Sequence, residues 1–366
     1  MKCAYVVQGF GEFSQAEAFA RYAQTRGDSN VFICDDPALI DLIKKSGFEV
    51  IRATTTHKTQ QIIRKARPDV LFLCNSKTVY MRDEAILKEA PLPPRPLTAS
   101  FDSNWLFLNH KKSLFRVPEW LDLPLVVMPE VIYTKGLKKN GGRYTIGANF
   151  AQKIFCPGFI PSGFRVSSRE KAAIRGKLGI KPGEKLIFSY FGIREPLILQ
   201  NYVSALEKII PQLEKNGKKI KVFLKIHKEL KHLPRADWLL TKKWLSAEDY
   251  VRYLAAADLV IQHHGLGTLP KVIRNQVPAL CVVPDLAKKY AFYEHSPSFE
   301  IEAFQRLGLC ASIPYSFSAT QLSRQMQRLL FNKKVVSAMK KAQARVFQSG
   351  EKIAYAHIVR RLKKNI

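Results

Sequence analysis

Apolar positions in this chain come as short runs, each closed by a turn and followed by a stretch with helical spacing. Residues 4–7, 31–34, 49–52, 69–74, 97–101 and 125–127 are such runs in the first half. Residues 185–190, 221–226, 259–261 and 279–283 repeat the pattern in the second half, with a shorter candidate at 238–240. Short apolar runs between turn signals fit strands buried on both faces. Helices are predicted between them at 14–26, 37–46, 59–65, 168–178, 197–217, 249–257, 320–330 and 335–366. Pro211 marks a kink in the fifth of these, and Ser168 stands at the start of the fourth as its cap.

Strands alternating with helices predict an α/β protein built from β–turn–α–β units, and both halves follow that grammar. Two Rossmann-like domains facing a cleft is the economical architecture. The irregular stretch CPGFIPSGFRVSSRE reads as the linker. The expected division is 1–155, 156–335, and a basic C-terminal helix over 336–366 that packs back toward the first domain.

One unit stands out. ADLVIQHHGLGTLPKVIRNQVPALCVVP reads as strand, glycine turn, helix, strand. Gly265 and Gly267 bracket the turn, Thr268 stands at the N-cap position, and Pro270 fits the first helical turn. Such a turn aims backbone N–H groups and the positive end of a helix dipole at one spot, which suits a phosphate.

Composition narrows the class. The 366 residues are 46% hydrophobic and 11% aromatic, as in a folded globular protein. No apolar run reaches the roughly 18 residues of a membrane span, and MKCAYVVQGFGEF lacks the long apolar core of a secretory signal. The expected location is therefore cytoplasmic. Six scattered cysteines without a C-x-x-C pair read as buried reduced thiols, so neither disulfides nor a zinc site is expected. Lysine and arginine exceed aspartate and glutamate by 59 to 30, a net charge of +29 that calls for an anionic partner. The charge is densest in residues 333–366, with ten basic side chains against Glu351 alone, a face suited to anionic lipid at the inner side of a membrane. No nucleic-acid-binding motif accompanies it.

With both glycine turns in place, the chain resembles the GT-B glycosyltransferases. The likeness is to the inverting branch that includes the peptidoglycan lipid-linked N-acetylglucosaminyltransferase and the galactolipid synthases. YVVQGFGEFSQAEAFARYAQTRG is similar to that family's opening strand, glycine loop and helix. PLTASFDSNWLF resembles its later strand, KLIFSYFG the strand that opens its second domain, and AADLVIQHHGLGTLPKVIRNQVPALCVVP its donor signature. FEIEAFQRLGL is similar to the segment that follows. Together they cover nearly the full chain in order.

The resemblance implies a nucleotide-sugar donor, UDP-linked, with its diphosphate on the Gly265–Thr268 turn, and no metal or other cofactor. It implies a lipid-linked or cell-surface polysaccharide acceptor, with a general base in the first domain. Glu12, in the first glycine loop, and Asp102, at a strand end, are the two candidates for that base; Gly9, Gly11 and Asn104 would meet the acceptor. Gly192, Arg194, His263, His264, Gly265, Gly267, Thr268 and Lys271 would line the donor. His227 fits a structural role, and the backbone of 242–244 would hold the base. The chain also departs from the family. Lys271 stands where a carboxylate usually grips the ribose, Phe299 where a glutamine contacts the sugar, with Glu300 and Glu302 nearby. Glu12 replaces a histidine and His264 a glycine. A non-catalytic scaffold binding a nucleotide, sugar or polyanion, and a sugar-nucleotide epimerase, therefore stand as alternatives.

Overall fold

A computed structural model describes residues 1–74, 86, 95–102, 108–109, 121–132, 135, 145–146, 155–191, 196–226, 233–263, 267–284 and 297–364. These form two compact units, Met1–Ser162 with Gln348–Ile366, and Gly163–Phe347.

The first unit contains β1 (Lys2–Val7), α1 (Phe10–Gln24), β2 (Ser29–Cys34), α2 (Pro37–Lys45), β3 (Glu49–Arg52), α3 (Thr56–Ala66), β4 (Val70–Cys74) and β5 (Leu97–Asp102). The short strands β6 (Leu108–Asn109) and β8 (Thr145–Ile146) pair with each other, and β7 (Leu123–Val126) lies between them in the chain. The main sheet runs β3-β2-β1-β4-β5-β7, with every pairing parallel. Its inner strands β1 and β4 are near-continuous apolar runs because both faces are covered, whereas the edge strand β3 is only partly buried. On one face Phe32, Tyr5, Phe72 and Phe101 stack as a ladder with ring centroids 4.7–4.9 Å apart, and Phe13 and Phe19 of α1 pack across it. Such rings carry much of the burial energy of a core.

The second unit contains α4 (Ser168–Lys177), β9 (Lys185–Tyr190), α5 (Pro196–Lys215), β10 (Ile220–Lys225), β11 (Leu239–Lys242), α6 (Ala247–Ala256) and β12 (Leu259–His263). It continues with α7 (Leu269–Asn275), β13 (Ala279–Val283), α8 (Pro297–Arg306), β14 (Ala311–Pro314), α9 (Ala319–Phe331) and α10 (Lys333–Val346). Its sheet has the same parallel winding, β11-β10-β9-β12-β13-β14. Pro211 sits inside α5. Gln343 of α10 donates to the carbonyls of Val277 and Leu309, locking that helix under the sheet edge.

The structure corrects three expectations. The cap of α4 is Ser167, not Ser168: its hydroxyl accepts from the Glu170 N–H while Glu170 reaches back to the Ser167 N–H, a complete capping box. The single helix expected over 336–366 is two helices, broken at Phe347–Ser349, with α10 in the second unit and α11 (Gly350–Lys364) in the first. Ala354 and Ile358 of α11 join the core behind the aromatic ladder, so only this last helix crosses back.

The expected linker does hold the division between the units, and it is closely packed. Phe159, Ile160 and Ser162 are buried, and the strand-like bridge Phe159–Ser349 ties the outgoing pass to the returning one. The Glu351 carboxylate, itself buried, accepts from the Ser162 N–H and hydroxyl, both at 2.6 Å, and from Ser349 at 3.2 Å. Proline and glycine mark this stretch because two chain passes approach closely there. Gly350 shows it: an added Cβ would come within 2.6 Å of the Phe159 carbonyl and 2.8 Å of the Gly158 carbonyl. The boundaries accordingly fall at 162–163 and 347–348 rather than at 155–156 and 335–336.

Candidate active site

In a doubly wound sheet, the crevice for a ligand lies outside the carboxyl ends of the strands where the order reverses. That reversal falls between β9 and β12 in the second unit and between β1 and β4 in the first.

In the second unit the strands end in polar and aromatic residues at one level: Tyr190 on β9, Lys225 on β10, and Gln262 with His263 on β12. The Tyr190 ring is edge-on to His263 at 5.6 Å and to Tyr250 of α6 at 5.5 Å. The Lys225 ammonium lies 4.7 Å from the Tyr190 ring and 6.0 Å from that of Tyr250. Burial pushes the Lys225 ammonium down to about 8. Burial also lowers His263, against an opposing hydrogen bond with the Tyr190 backbone, and raises both phenols. Near pH 7, therefore, His263 and both tyrosines are neutral. Gln262 is wholly buried, with its amide nitrogen 3.6 Å from the Cys281 sulfur and no partner for its carbonyl oxygen among the described residues.

The turn before α7 differs from its sequence reading in one respect. Thr268 does not cap the helix; its backbone is already helical and its side chain makes no cap bond. The hydroxyl is buried against Tyr250 instead, 2.7 Å from the phenol oxygen. Tyr250 is thus a post between α6 and the turn. Replacing it by Phe should leave the Thr268 hydroxyl without this partner and cost about 1 kcal/mol, measurable by urea denaturation. Lys271 turns back to the same place, its ammonium donating to the Gly267 carbonyl at 2.5 Å. Asn275 fixes the far end of α7, accepting from the Val166 N–H and donating to the carbonyls of Phe164 and Lys271. The residues that enter the second unit therefore set the position of the turn. Gly267 itself has an unstrained backbone, and a Cβ placed there would meet no described atom within 4 Å. Nothing in the packing of the described residues demands a glycine.

In the first unit α1 begins at Phe10, so Gly11 and Glu12 lie in its first turn rather than in a loop. The reason is Glu12 itself: its carboxylate folds back over Gly9, where any Cβ would collide with it, and bonds its own backbone N–H. A carboxylate at this end of a helix is held by the dipole. Burial nonetheless raises the Glu12 carboxyl above its ordinary range, with the backbone bond opposing. Asp102 ends β5 beside Val126, and its side chain lies outside the described residues. Asn104, Gly192, Arg194, His227, His264 and Gly265 lie outside them entirely, as do the side chains of Phe299 and Glu300. Glu302 is described, and it pairs with Arg306 on α8. Lys242 ends β11 with its ammonium 5.9 Å from the Tyr253 ring.

Tyr190, Lys225, Tyr250 and Gln262 were absent from the sequence-level site. The available signal was a lysine and a tyrosine closing apolar strand runs at LKIHKE and KLIFSYFG. No group of three or more potential metal-ligating side chains occurs among the described residues.

Residues 199–354 match the glycosyltransferase family 28 C-terminal domain. No curated protein matches the sequence. Among solved structures, the chain is similar to MurG of Acinetobacter baumannii (13% identity, 100% of each chain covered, TM-score 0.62). It is similar to the glycosyltransferase SnogD of Streptomyces nogalater (12% identity, 98% of this chain and 99% of that one, TM-score 0.61). It is also similar to a protein assigned as a UDP-N-acetylglucosamine 2-epimerase from Listeria monocytogenes (14% identity, 96% and 94% covered, TM-score 0.64). At such identities these structures establish the fold, and the domain match carries the class. The class is a glycosyltransferase of the GT-B fold, with the family 28 match falling mostly in its second unit.

Proposed function

We propose that the chain transfers a sugar from a UDP-linked donor to a lipid-linked or cell-surface polysaccharide acceptor, without a metal and with inversion. The donor's diphosphate rests on the Gly267–Thr268 turn of the second unit. Glu12 takes the proton of the acceptor hydroxyl, whose oxygen forms the new bond to the anomeric carbon. The bond from that carbon to the diphosphate breaks, and the electron pair leaves with the nucleotide. Backbone N–H groups, the α7 dipole and lysine charge at the turn serve as the electrostatic sink. The observation that carries the reading is the open turn at Gly267, at the reversal point of a sheet whose domain matches a glycosyltransferase family.

The acceptor's placement at the inner face of a membrane is supported by the net charge of +29. No helix among the described residues is long and apolar enough to cross a membrane.

A thermal-shift screen against nucleoside diphosphates and nucleotide-sugars tests the donor half. Stabilisation by one nucleotide is expected, and it should vanish in Gly267→Leu, a variant the open space allows to fold normally. Binding that survives a leucine there, or silence across the panel, would remove the donor site from this turn.

A non-catalytic scaffold is the second reading, and Lys271 favours it. An ammonium directed at the Gly267 carbonyl cannot accept hydrogen bonds from ribose hydroxyls. Nucleotide binding without transfer to any acceptor preparation would select it. An epimerase remains the third, on the shared fold of the Listeria protein, and a change of sugar configuration in the donor itself would reveal it.

A further inference from the structure

The stretch from Ala303 to Gly350 carries eight lysines and arginines and no aspartate or glutamate. A solvated helix ordinarily sets acids among its bases, because pairs of opposite sign one turn apart stabilise it and like pairs do the reverse. In α10, Lys333 and Lys334 occupy the first turn with no acid beside them, at the end of the helix where the dipole repels cations. Lys341 and Arg345 follow as a like-charge pair one turn apart.

The faces of α10 differ. Met339 and Gln343 point into the second unit: the Met339 sulfur accepts from the Ala279 N–H at 3.4 Å, and the Gln343 amide donates to the Val277 and Leu309 carbonyls. Those partners stand at the amino ends of β13 and β14. The helix therefore lies at the edge of the sheet opposite the donor turn, which follows the carboxyl end of β12. Along another face, Lys333, Lys340 and Lys341 line one cavity with Ser337 and with Gln276, the residue that closes α7. The cavity measures about 370 Å³, and no carboxylate lines it.

The field of this cluster reaches α4. Burial lowers the Lys171 ammonium, and the charges of Lys340 and Arg165 lower it further. Glu170, next to it in sequence, is already engaged by Ser167 and pairs with Arg252. Among the described residues no ion pair involves Lys171, Lys333, Lys340 or Lys341. Cations from separate parts of the chain thus repel one another at this edge, and a bound anion relieves that repulsion.

We propose that this cavity is a second anion site, in which Lys333, Lys340 and Lys341 bind a phosphate group at the edge of the sheet opposite the donor turn. Lysine meets a tetrahedral phosphate as a point charge, without the planar fork by which arginine matches a carboxylate. The Ser337 hydroxyl and the Gln276 amide add neutral donors. All three lysines are exposed, so a soluble phosphate ester and an anionic lipid headgroup both have access. The site stands apart from the donor reading, since it uses no residue of the Gly267–Thr268 turn.

Two probes test it on the full-length protein. Inorganic phosphate is followed by calorimetry, and phosphatidylcholine vesicles with about 30% phosphatidylglycerol by sedimentation. The variants are the α10 triple Lys333→Gln/Lys340→Gln/Lys341→Gln and a charge-matched triple on α11, Lys352→Gln/Arg360→Gln/Lys363→Gln. Each is made in the wild-type chain and again with Gly267→Leu, which removes any phosphate held at the donor turn. The α10 triple should lose about tenfold or more in phosphate affinity and melt at the parent's temperature or above, because repulsion is relieved. The α11 triple should stay within about twofold of its parent. A lipid source shows as sedimentation that needs phosphatidylglycerol and that the α10 triple alone weakens by about tenfold. A soluble source shows as phosphate binding without such sedimentation. Equal losses in the two triples would overturn the proposal, because net charge rather than a site would then be responsible. A wild type that binds neither probe would overturn it as well.

Discussion

Glu12→Gln should lower the rate of sugar transfer by about 10²–10⁴-fold, the usual weight of a positioned general base. The amide keeps the shape and one acceptor oxygen, so α1 retains its start, while the capacity to take a proton is lost. Because burial raises the Glu12 carboxyl, the acid limb of the wild-type pH–rate profile should sit at higher pH than an ordinary carboxylate would place it. The same shift has a sign for stability. A carboxyl raised in the folded state binds its proton more tightly there than in the unfolded chain. Stability then falls as pH rises from the unfolded value through the folded one. At neutral pH the variant should therefore melt at the same temperature as the wild type or higher, while turnover collapses. A variant that transfers sugar at the wild-type rate would reduce Glu12 to the cap of α1 and leave the base to Asp102.

Gly350→Ala should be strongly damaging. The new Cβ would press on two backbone carbonyls and the Ile160 side chain at 2.6–2.8 Å, and backbone that is bonded to its neighbours cannot yield alone. A loss of about 3 kcal/mol or more is expected, equivalent to a fall in Tm of roughly 6–12 °C for a domain of this size. Gly11→Ala is the matched control. It adds the same methyl group to α1 where nothing lies within 4 Å, and it should gain about 0.5–1 kcal/mol through helix propensity. Equal melting of the two variants would show that the buried double crossing is not what holds the first unit together.

These expectations differ in how far the sequence supports them. Strand positions and winding were legible because strands covered on both faces must be apolar along most of their length, as AYVV, VFIC and ALCVV are. Glycine and proline were legible as punctuation after the strands, but the first glycine loop was not read rightly: α1 already begins at Phe10, so Gly11 lies in the helix. The stretch 156–170 was read as the linker, and the units do divide within it, at 162–163; what was not legible is how tightly it packs. Glycine and proline mark mobile tethers and tight approaches alike, and only the partner pass at 348–351 distinguishes the two.

Thr268 shows a second kind of limit. A threonine before a helix is a good cap by local rules, and a neighbour eighteen places away is invisible to them. Tyr250 takes the hydroxyl, so the residue ties the turn to α6 rather than closing the end of α7. Lys225 shows a third. A lysine after an apolar run reads as the solvated end of a strand. Its burial arises because Tyr190 and Tyr250 come from two other elements and close over it.

The glycine turn before α7 stands among side chains brought from other elements. What the sequence by itself determined is the α/β class, the two wound halves, and the glycine and proline punctuation that follows the strands, because each follows from local periodicity and turn chemistry. What only the tertiary structure decided is which side chains stand beside those turns: Tyr190, Lys225, Tyr250 and His263 around one, and Glu12 folded over Gly9 at the other. Their chemistry depends on the water that neighbouring elements exclude, and those neighbours are set by how the sheet is wound.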